Sequence, residues 1–255
     1  TFVAVGVDGV TYNSDDGLAW TFNTSNLIED INGVATSPSQ LIAVGEGGVL
    51  VSSSDNGTTW AAQVSGTSSN LNSVAHSGSL YVAVGDGGVL VTSSDGVNWT
   101  PGSTGSAASL KSVRWDGSLF AAVGSGGTIL TSTNGTSWTP RASSVTDGLE
   151  SAVKLGAQWL AVGEAGTILT SPNATAWTER STGPTSLLVG VAAAGSQMVA
   201  VGAAGTILTS TDGTAWTIRS SPVNATFHSV AGSASLIIAV GNGGAAVKST
   251  NGVPW

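Results

Sequence analysis

Residues 80–99 read L-Y-V-A-V-G-D-G-G-V-L-V-T-S-S-D-G-V-N-W, and close variants of this stretch recur down the whole chain. The glycine of its A-V-G triplet stands at 6, 45, 85, 124, 163, 202 and 241, in steps of 39 or 40 residues. A tryptophan follows each of them fourteen or fifteen residues later, at Trp20, Trp60, Trp99, Trp138, Trp177, Trp216 and Trp255. A fixed period of this length marks a repeat architecture, in which each copy is one supersecondary unit that needs its neighbours. Within a copy, Gly85-Asp86-Gly87-Gly88 sets glycines where a two-residue hairpin turn requires positive φ. The apolar run Val89-Leu90-Val91, matched by Ile129-Leu130, Ile168-Leu169 and Ile207-Leu208, suits a strand covered on both faces. Working outward, residues 71–76 read as strand a, 80–84 as b, 88–92 as c and 98–101 as d. Four short strands per copy, buried on both sides, make a propeller blade. The expected fold is all-β, a seven-bladed β-propeller of four-stranded antiparallel blades, as one domain over 1–255. The first copy lacks its inner strand and the last most of its outer strand, so the chain is expected to be an excerpt of a longer one.

Composition narrows the function classes. The formal net charge is −8 and only 9% of residues are charged, against about 25% in an ordinary chain. Seven Lys and Arg in 255 residues do not make the clustered basic surface that phosphate tracking needs, so no nucleic-acid partner is expected. Cysteine is absent, which removes disulfides, thiolate metal sites and a cysteine nucleophile. No apolar run reaches eighteen residues, and no membrane insertion is expected.

Between strands c and d lies a second signature, Ser93-Ser94-Asp95-Gly96-Val97-Asn98-Trp99. Its equivalents are Ser14 with Asp16, Ser53 with Asp55, Ser132 with Asn134, Ser171 with Asn173, Ser210 with Asp212, and Ser249 with Asn251. This pattern resembles the Asp-box repeat of the bacterial neuraminidase type, and Ser53–Trp60 matches that motif position for position. The combination of turn glycines, box and tryptophan is also similar to propellers of the photosystem II assembly-factor type. Physically the box is a turn: the Asx side chain accepts backbone N–H groups, glycine permits a left-handed residue, and Trp fills the gap between blades. Seven copies of one residue set read as structure, since seven identical active sites are not a plausible enzyme.

The sialidase resemblance implies convergent arginines, a tyrosine nucleophile with a glutamate, and an aspartate acid/base, and no such set stands here. Tyr81 aligns with the core positions Phe2, Leu41 and Phe120, and Tyr12 with Val51, Val91 and Leu130, so both tyrosines are expected to be buried. His76 and His228 lack metal-ligand spacing. No enzyme activity, cofactor or metal is expected.

Function is sought where the copies differ. The d–a connections, 23–30, 63–70, 102–109, 141–148, 180–187 and 219–226, are polar and variable, as adaptable contact loops are. Three positions after Trp, Arg141, Arg180 and Arg219 replace Asn23, Gln63 and Gly102, giving an expected basic arc for an acidic partner or a glycan carboxylate. At the start of strand a, Asn32, Asn72, Lys111, Glu150, Val189 and His228 form a second candidate polar set, beside Asp8, Glu46, Asp86 and Glu164 of the b–c turns. Arg114-Trp115-Asp116 interrupts a run of small residues and is a candidate stacking site at the opposite end of the blade. The leading expectation is a non-enzymatic binding or scaffold propeller of a bacterial or phage surface or secreted protein, recognising a glycan or protein through the d–a loops. The alternatives are an assembly factor or chaperone-like propeller holding a client on the arginine arc, in a periplasm or lumen, and a structural spacer of an extracellular appendage.

Overall fold

A computed structural model describes residues 2–180, 183, 185–195, 197–233 and 235–255. These contain 26 β-strands in seven antiparallel sheets and no α-helix; five sheets have four strands and two have three. Each sheet is one blade, numbered here in chain order with its tryptophan from Trp20 to Trp255. In blade 3 the strands are a (Leu71–His76), b (Tyr81–Gly85), c (Val89–Ser93) and d (Thr100–Ser103). Strands b and c start one residue later than the pattern implied. Strand d starts two later, because Asn98 and Trp99 belong to the box turn. Blades 1 and 7 hold three strands each, Phe2–Val5, Val10–Ser14 and Thr21–Thr24 in one, Phe227–Gly232, Ile237–Gly241 and Ala245–Ser249 in the other. The chain divides into two compact units, Thr1–Ala122 with Leu130–Thr139, and Val123–Ile129 with Pro140–Trp255.

Every b–c connection is a type I′ hairpin turn with φ positive at both central residues, the form whose twist matches that of antiparallel strands. In blade 3 these residues are Gly87 and Gly88, and the Val89 N–H donates back to the Asp86 carbonyl. The first central position takes Asp8, Ala165 or Ala204 in other blades at φ between 50° and 53°. The second is glycine in all seven blades, at φ between 65° and 77°.

Strand a carries a β-bulge at its second residue: Leu71 faces Gly85 and Ser73 faces Val84, which leaves Asn72 without a partner in the ladder. The same shift recurs at Asn32, Glu150, Val189 and His228. A bulge re-aims the side chain it carries, and this one does so at the end of the blade that bears the b–c turn.

The core lies between consecutive blades. In the first unit Ile42, Val44 and Leu50 of blade 2 pack with Leu71, Val74, Tyr81 and Val91 of blade 3, and Ala75, Val82 and Leu90 of blade 3 pack with Val113, Phe120 and Leu130 of blade 4. In the second, Leu160, Val162 and Ile168 pack with Val191, Met198 and Leu208, and Val199, Val201 and Ile207 with Phe227, Ile237 and Val247. Tyr81 is buried here. Tyr12 is not: it is 39% exposed, against the sequence expectation. Its counterparts Val51, Val91 and Leu130 are each packed in clusters shared with the preceding blade of the same unit. The Tyr12 ring instead meets Phe22 of its own blade edge-on, 5.5 Å between centroids.

Candidate functional site

The box residues form closed hydrogen-bonded turns. In blade 3 the buried Ser93 hydroxyl accepts the Gly96 N–H at 2.8 Å and donates to Asp95 Oδ1 at 2.9 Å. Asp95 Oδ1 also accepts the N–H groups of Val97 and Asn98, both at 2.8 Å. Ser14 with Asp16, Ser53 with Asp55, and Ser210 with Asp212 repeat the arrangement. Asn134 and Asn173 accept through Oδ1 in the same way, and Asn251 Oδ1 accepts the Val253 N–H. Trp60, Trp99, Trp138, Trp177, Trp216 and Trp255 each donate Nε1–H to the carbonyl three residues back, in the same turn. All of these groups bind their own loop.

The box aspartates are held in the charged form by the donors around them. The Thr59 backbone N–H, then the Thr59 and Ser53 hydroxyls, bring Asp55 down to about 2 from an ordinary 3.8. Asp95 lies below the usual carboxylate range because of the Asn98 N–H and side chain, and Asp212 because of the Ala215 and Thr214 N–H groups. Depressed folded values add stability above the unfolded value and lose it as pH falls through the folded one. The chain is therefore expected to weaken between about pH 4 and pH 2. Combined Asp55→Asn, Asp95→Asn and Asp212→Asn substitution should flatten that fall and lower the neutral-pH urea midpoint, since a neutral amide forfeits the ionised-state contribution and cannot accept from the Thr59 hydroxyl and Asn98 amide as the second carboxylate oxygen does. A variant as acid-sensitive as the parent would contradict this account.

At the bulges, the polar residues tie neighbouring blades together. Asn32 Nδ2 donates to the Leu71 carbonyl of the next blade at 3.1 Å, and Asn72 Nδ2 to the Leu110 carbonyl at 2.9 Å. Asn72 and Lys111 converge on Asp86, at 2.9 Å from Nδ2 and 3.9 Å from Nζ. The Asn72 amide and the Lys111 charge keep the Asp86 carboxyl below its ordinary value. His228 Nε2 lies 2.6 Å from Asn242 Oδ1 of its own b–c turn, and Glu164 accepts the Gly148 N–H at 2.9 Å. Glu150 occupies the same bulge position in blade 5. Of the predicted polar set, then, the structure brings Asn72, Lys111 and Asp86 together, and uses Asn32 and Asn72 to stitch blade to blade. Among the described residues no group of three His, Cys, Asp or Glu could hold a metal ion.

The arginines stand on strand d, the outermost strand, at Thr139–Arg141, Thr178–Arg180 and Thr217–Arg219. Arg180 Nε donates to the Thr170 hydroxyl at 2.9 Å and Arg219 Nε to the Thr209 hydroxyl at 2.7 Å. The same cross-strand position pairs Asn23 with Asn13 at 3.2 Å and Gln63 with Ser52 at 3.0 Å. These strand c partners are not among the residues that the repeat pattern singles out. Strand c carries threonine at this position in all three arginine copies (Thr131, Thr170, Thr209) but also in blade 3 (Thr92), where strand d has Gly102, so the residue type alone does not mark the pairing. A second overlooked set lies five residues after Trp. Ser25, Ser65 and Thr104 are buried and donate to the carbonyls of Gly9, Gly48 and Gly88, at 2.7, 2.6 and 2.9 Å, which locks each d–a loop onto its b–c turn.

Between loop and turn lie shallow depressions of about 500 Å³, in equivalent places on two blades. One is lined by Gly205, Ile218, Arg219 and Val223 of blade 6, the other by Gly48, Gln63 and Val64 of blade 2. In loop 180–187, Ser181, Thr182 and Pro184 lie outside the described residues. Trp115 is half-buried with its ring 4.6 Å from Phe120 and tilted by 50° to it, and Phe120 in turn lies 6.3 Å from Trp138. Asp116 closes the adjoining turn by accepting the N–H groups of Ser118 and Leu119, so the predicted stacking site is largely absorbed into packing.

No known family profile and no curated protein matches the sequence. Solved structures do match. YCF48 bound to a D1 peptide superimposes with a TM-score of 0.79 at 19% identity, covering 97% of this chain and 87% of that one. YCF48 from Cyanidioschyzon merolae gives 0.75 at 19% identity, with 96% and 89% covered. The fold is a seven-bladed β-propeller. The WD40 propeller domain of Doa1 is similar at a TM-score of 0.70 and 15% identity, over 93% of this chain and 84% of that one. At these identities the likeness establishes the fold.

Proposed function

We propose that this chain is a non-catalytic propeller that holds a protein partner at the d–a loops and b–c turns, with Arg141, Arg180 and Arg219 as anchors. One observation carries the reading. Arg180 and Arg219 occupy the same register on successive outer strands, each with Nε fixed by a strand c threonine, which leaves the Nη groups for a partner. Their unit holds five carboxylates and five Lys or Arg, whereas the other holds ten and two, so the net charge of −8 does not lie around these arginines. A similar fold bound to a peptide favours a protein ligand over a glycan, and the assembly-factor reading over a surface glycan-binding one.

The test is cross-linking and affinity purification from source cells, with a glycan array run in parallel. One partner should cross-link through residues 141–148 and 219–226, and Arg141→Glu, Arg180→Glu and Arg219→Glu together should reduce its capture by about a hundredfold or more, as loss of several charge-assisted contacts would. Undiminished capture, or a glycan hit with no protein partner, would remove the proposal. A surface or secreted setting, with periplasm or lumen as the alternative, is a separate proposal, tested by fractionating cells that express the tagged protein.

A further inference from the structure

Blade 6 offers more than a charge. Its depression of about 500 Å³ is floored by Gly205, walled by Ile218 and Val223, and flanked by Arg219. Ile218 is 64% exposed and Val223 also lies open, an apolar pair beside a cation. We propose that this depression reads an extended segment of the protein partner through an acidic side chain held end-on by Arg219 and a neighbouring apolar side chain laid on Ile218 and Val223. The inference rests on the protein-binding reading and adds the chemistry that is recognised.

The geometry of Arg219 restricts how a carboxylate can approach. A guanidinium can bind a carboxylate side-on, through Nε and one Nη, or end-on through both Nη groups. Nε already donates to the Thr209 hydroxyl at 2.7 Å, which leaves the end-on mode. Thr209 is buried, so its hydroxyl is a fixed reference for the guanidinium plane. That makes Thr209 a positioning residue. Glycine at 205 lets the d–a loop seat against the turn, since a Cβ there would lie 2.3 Å from the Val223 carbonyl oxygen, and this fixes Val223 at the edge of the depression. Blade 2 supplies an internal comparison, since its equivalent depression has Gln63, a neutral amide, where blade 6 has Arg219.

The test is an NMR titration of the isotope-labelled chain with the acetylated, amidated hexapeptide Ser-Thr-Leu-Glu-Thr-Ser. Saturable shifts are expected at the Gly205 and Ser221 amides and at the Arg219 Nε–H. Affinity should fall about tenfold with the Glu→Gln peptide or with Arg219→Gln, the loss of one charged hydrogen-bond pair. With Thr209→Val a smaller loss is expected, together with a displaced Nε–H resonance while Arg219 remains. Equal binding of the Glu and Gln peptides, shifts centred on Gly48 and Gln63, or no shifts at all would overturn the proposal. So would preference for a peptide whose only carboxylate is its C-terminus, or displacement by an acidic oligosaccharide. A partner captured through Arg141 and Arg180 while blade 6 stays silent would sink this inference and leave the protein-binding reading standing. Failed capture with an intact titration would remove the protein-binding reading, and with it the partner named here, while showing that the depression itself takes an acidic peptide.

Discussion

Gly88→Ala is expected to destabilise the protein by about 3–5 kcal/mol, and Gly244→Ala by only about 1–2 kcal/mol. Both glycines are the second central residue of a type I′ turn, with φ of 74° and 73°. An alanine there meets the same backbone penalty in either blade, about 1–2 kcal/mol for an L-residue in the left-handed region. Their surroundings differ. A Cβ on Gly88 would lie 1.8 Å from the Ser106 carbonyl oxygen, whereas one on Gly244 meets nothing within 4 Å. Ser106 belongs to the d–a loop, pinned to the turn by Thr104, so it cannot withdraw without breaking the Thr104–Gly88 hydrogen bond. Gly48, Gly127 and Gly205 are crowded in the same way by Thr67, Val145 and Val223. Urea unfolding of both variants, followed by tryptophan fluorescence, measures the difference. Equal losses would show that turn conformation alone accounts for the glycine and that the clash is relieved by easy loop movement.

The second large effect is expected at the box tryptophans. Trp138 packs against the core shared by blades 3 and 4, lies 6.3 Å from the Phe120 ring and donates Nε1–H to the Gly135 carbonyl at 3.2 Å. Trp138→Ala should cost about 3 kcal/mol, at the low end of the range for large-to-small aromatic changes because the ring is only partly buried. Trp138→Phe keeps most of the packing and loses one hydrogen bond, so about 1 kcal/mol is expected. Chemical denaturation of the pair separates the two contributions. If Phe were as damaging as Ala, the hydrogen bond to the box turn, and not the filling of the inter-blade gap, would be the main role of the indole.

How far the chain could be read depended on whether a signal was local. Strand a at 71–76 and the two-residue b–c hairpin are legible to the residue, since alternation and positive-φ glycines act over a few residues. The pattern starts strand d two residues early because Trp99 reads as strand yet closes the box turn through Nε1. The bulge at Asn72 was invisible, because an extra residue in one strand shows only against its partner. Tyr12 departs from its aligned partner Val51 for a related reason: register places a residue on a face, but its exposure depends on what packs there, and Tyr12 meets Phe22 of its own blade. The arginines were found as departures from the repeat, but the Thr170 and Thr209 hydroxyls that orient two of them lie ten residues away and emerged only with the c–d register.

What the amino-acid order determined by itself was the repeat: seven copies, their strands and their turns, since hairpin geometry and Asx turns depend on residues within a few positions of one another. Tertiary structure decided what each exceptional residue does. Asn72 and Lys111 meet on Asp86 from adjacent blades, and Arg219 meets Ile218, Gly205 and Val223 around one depression. Such meetings are set by which strand edges and loop carbonyls pack within a few ångströms. Sequence spacing does not encode that distance, because it is the folding of one blade onto the next that creates it.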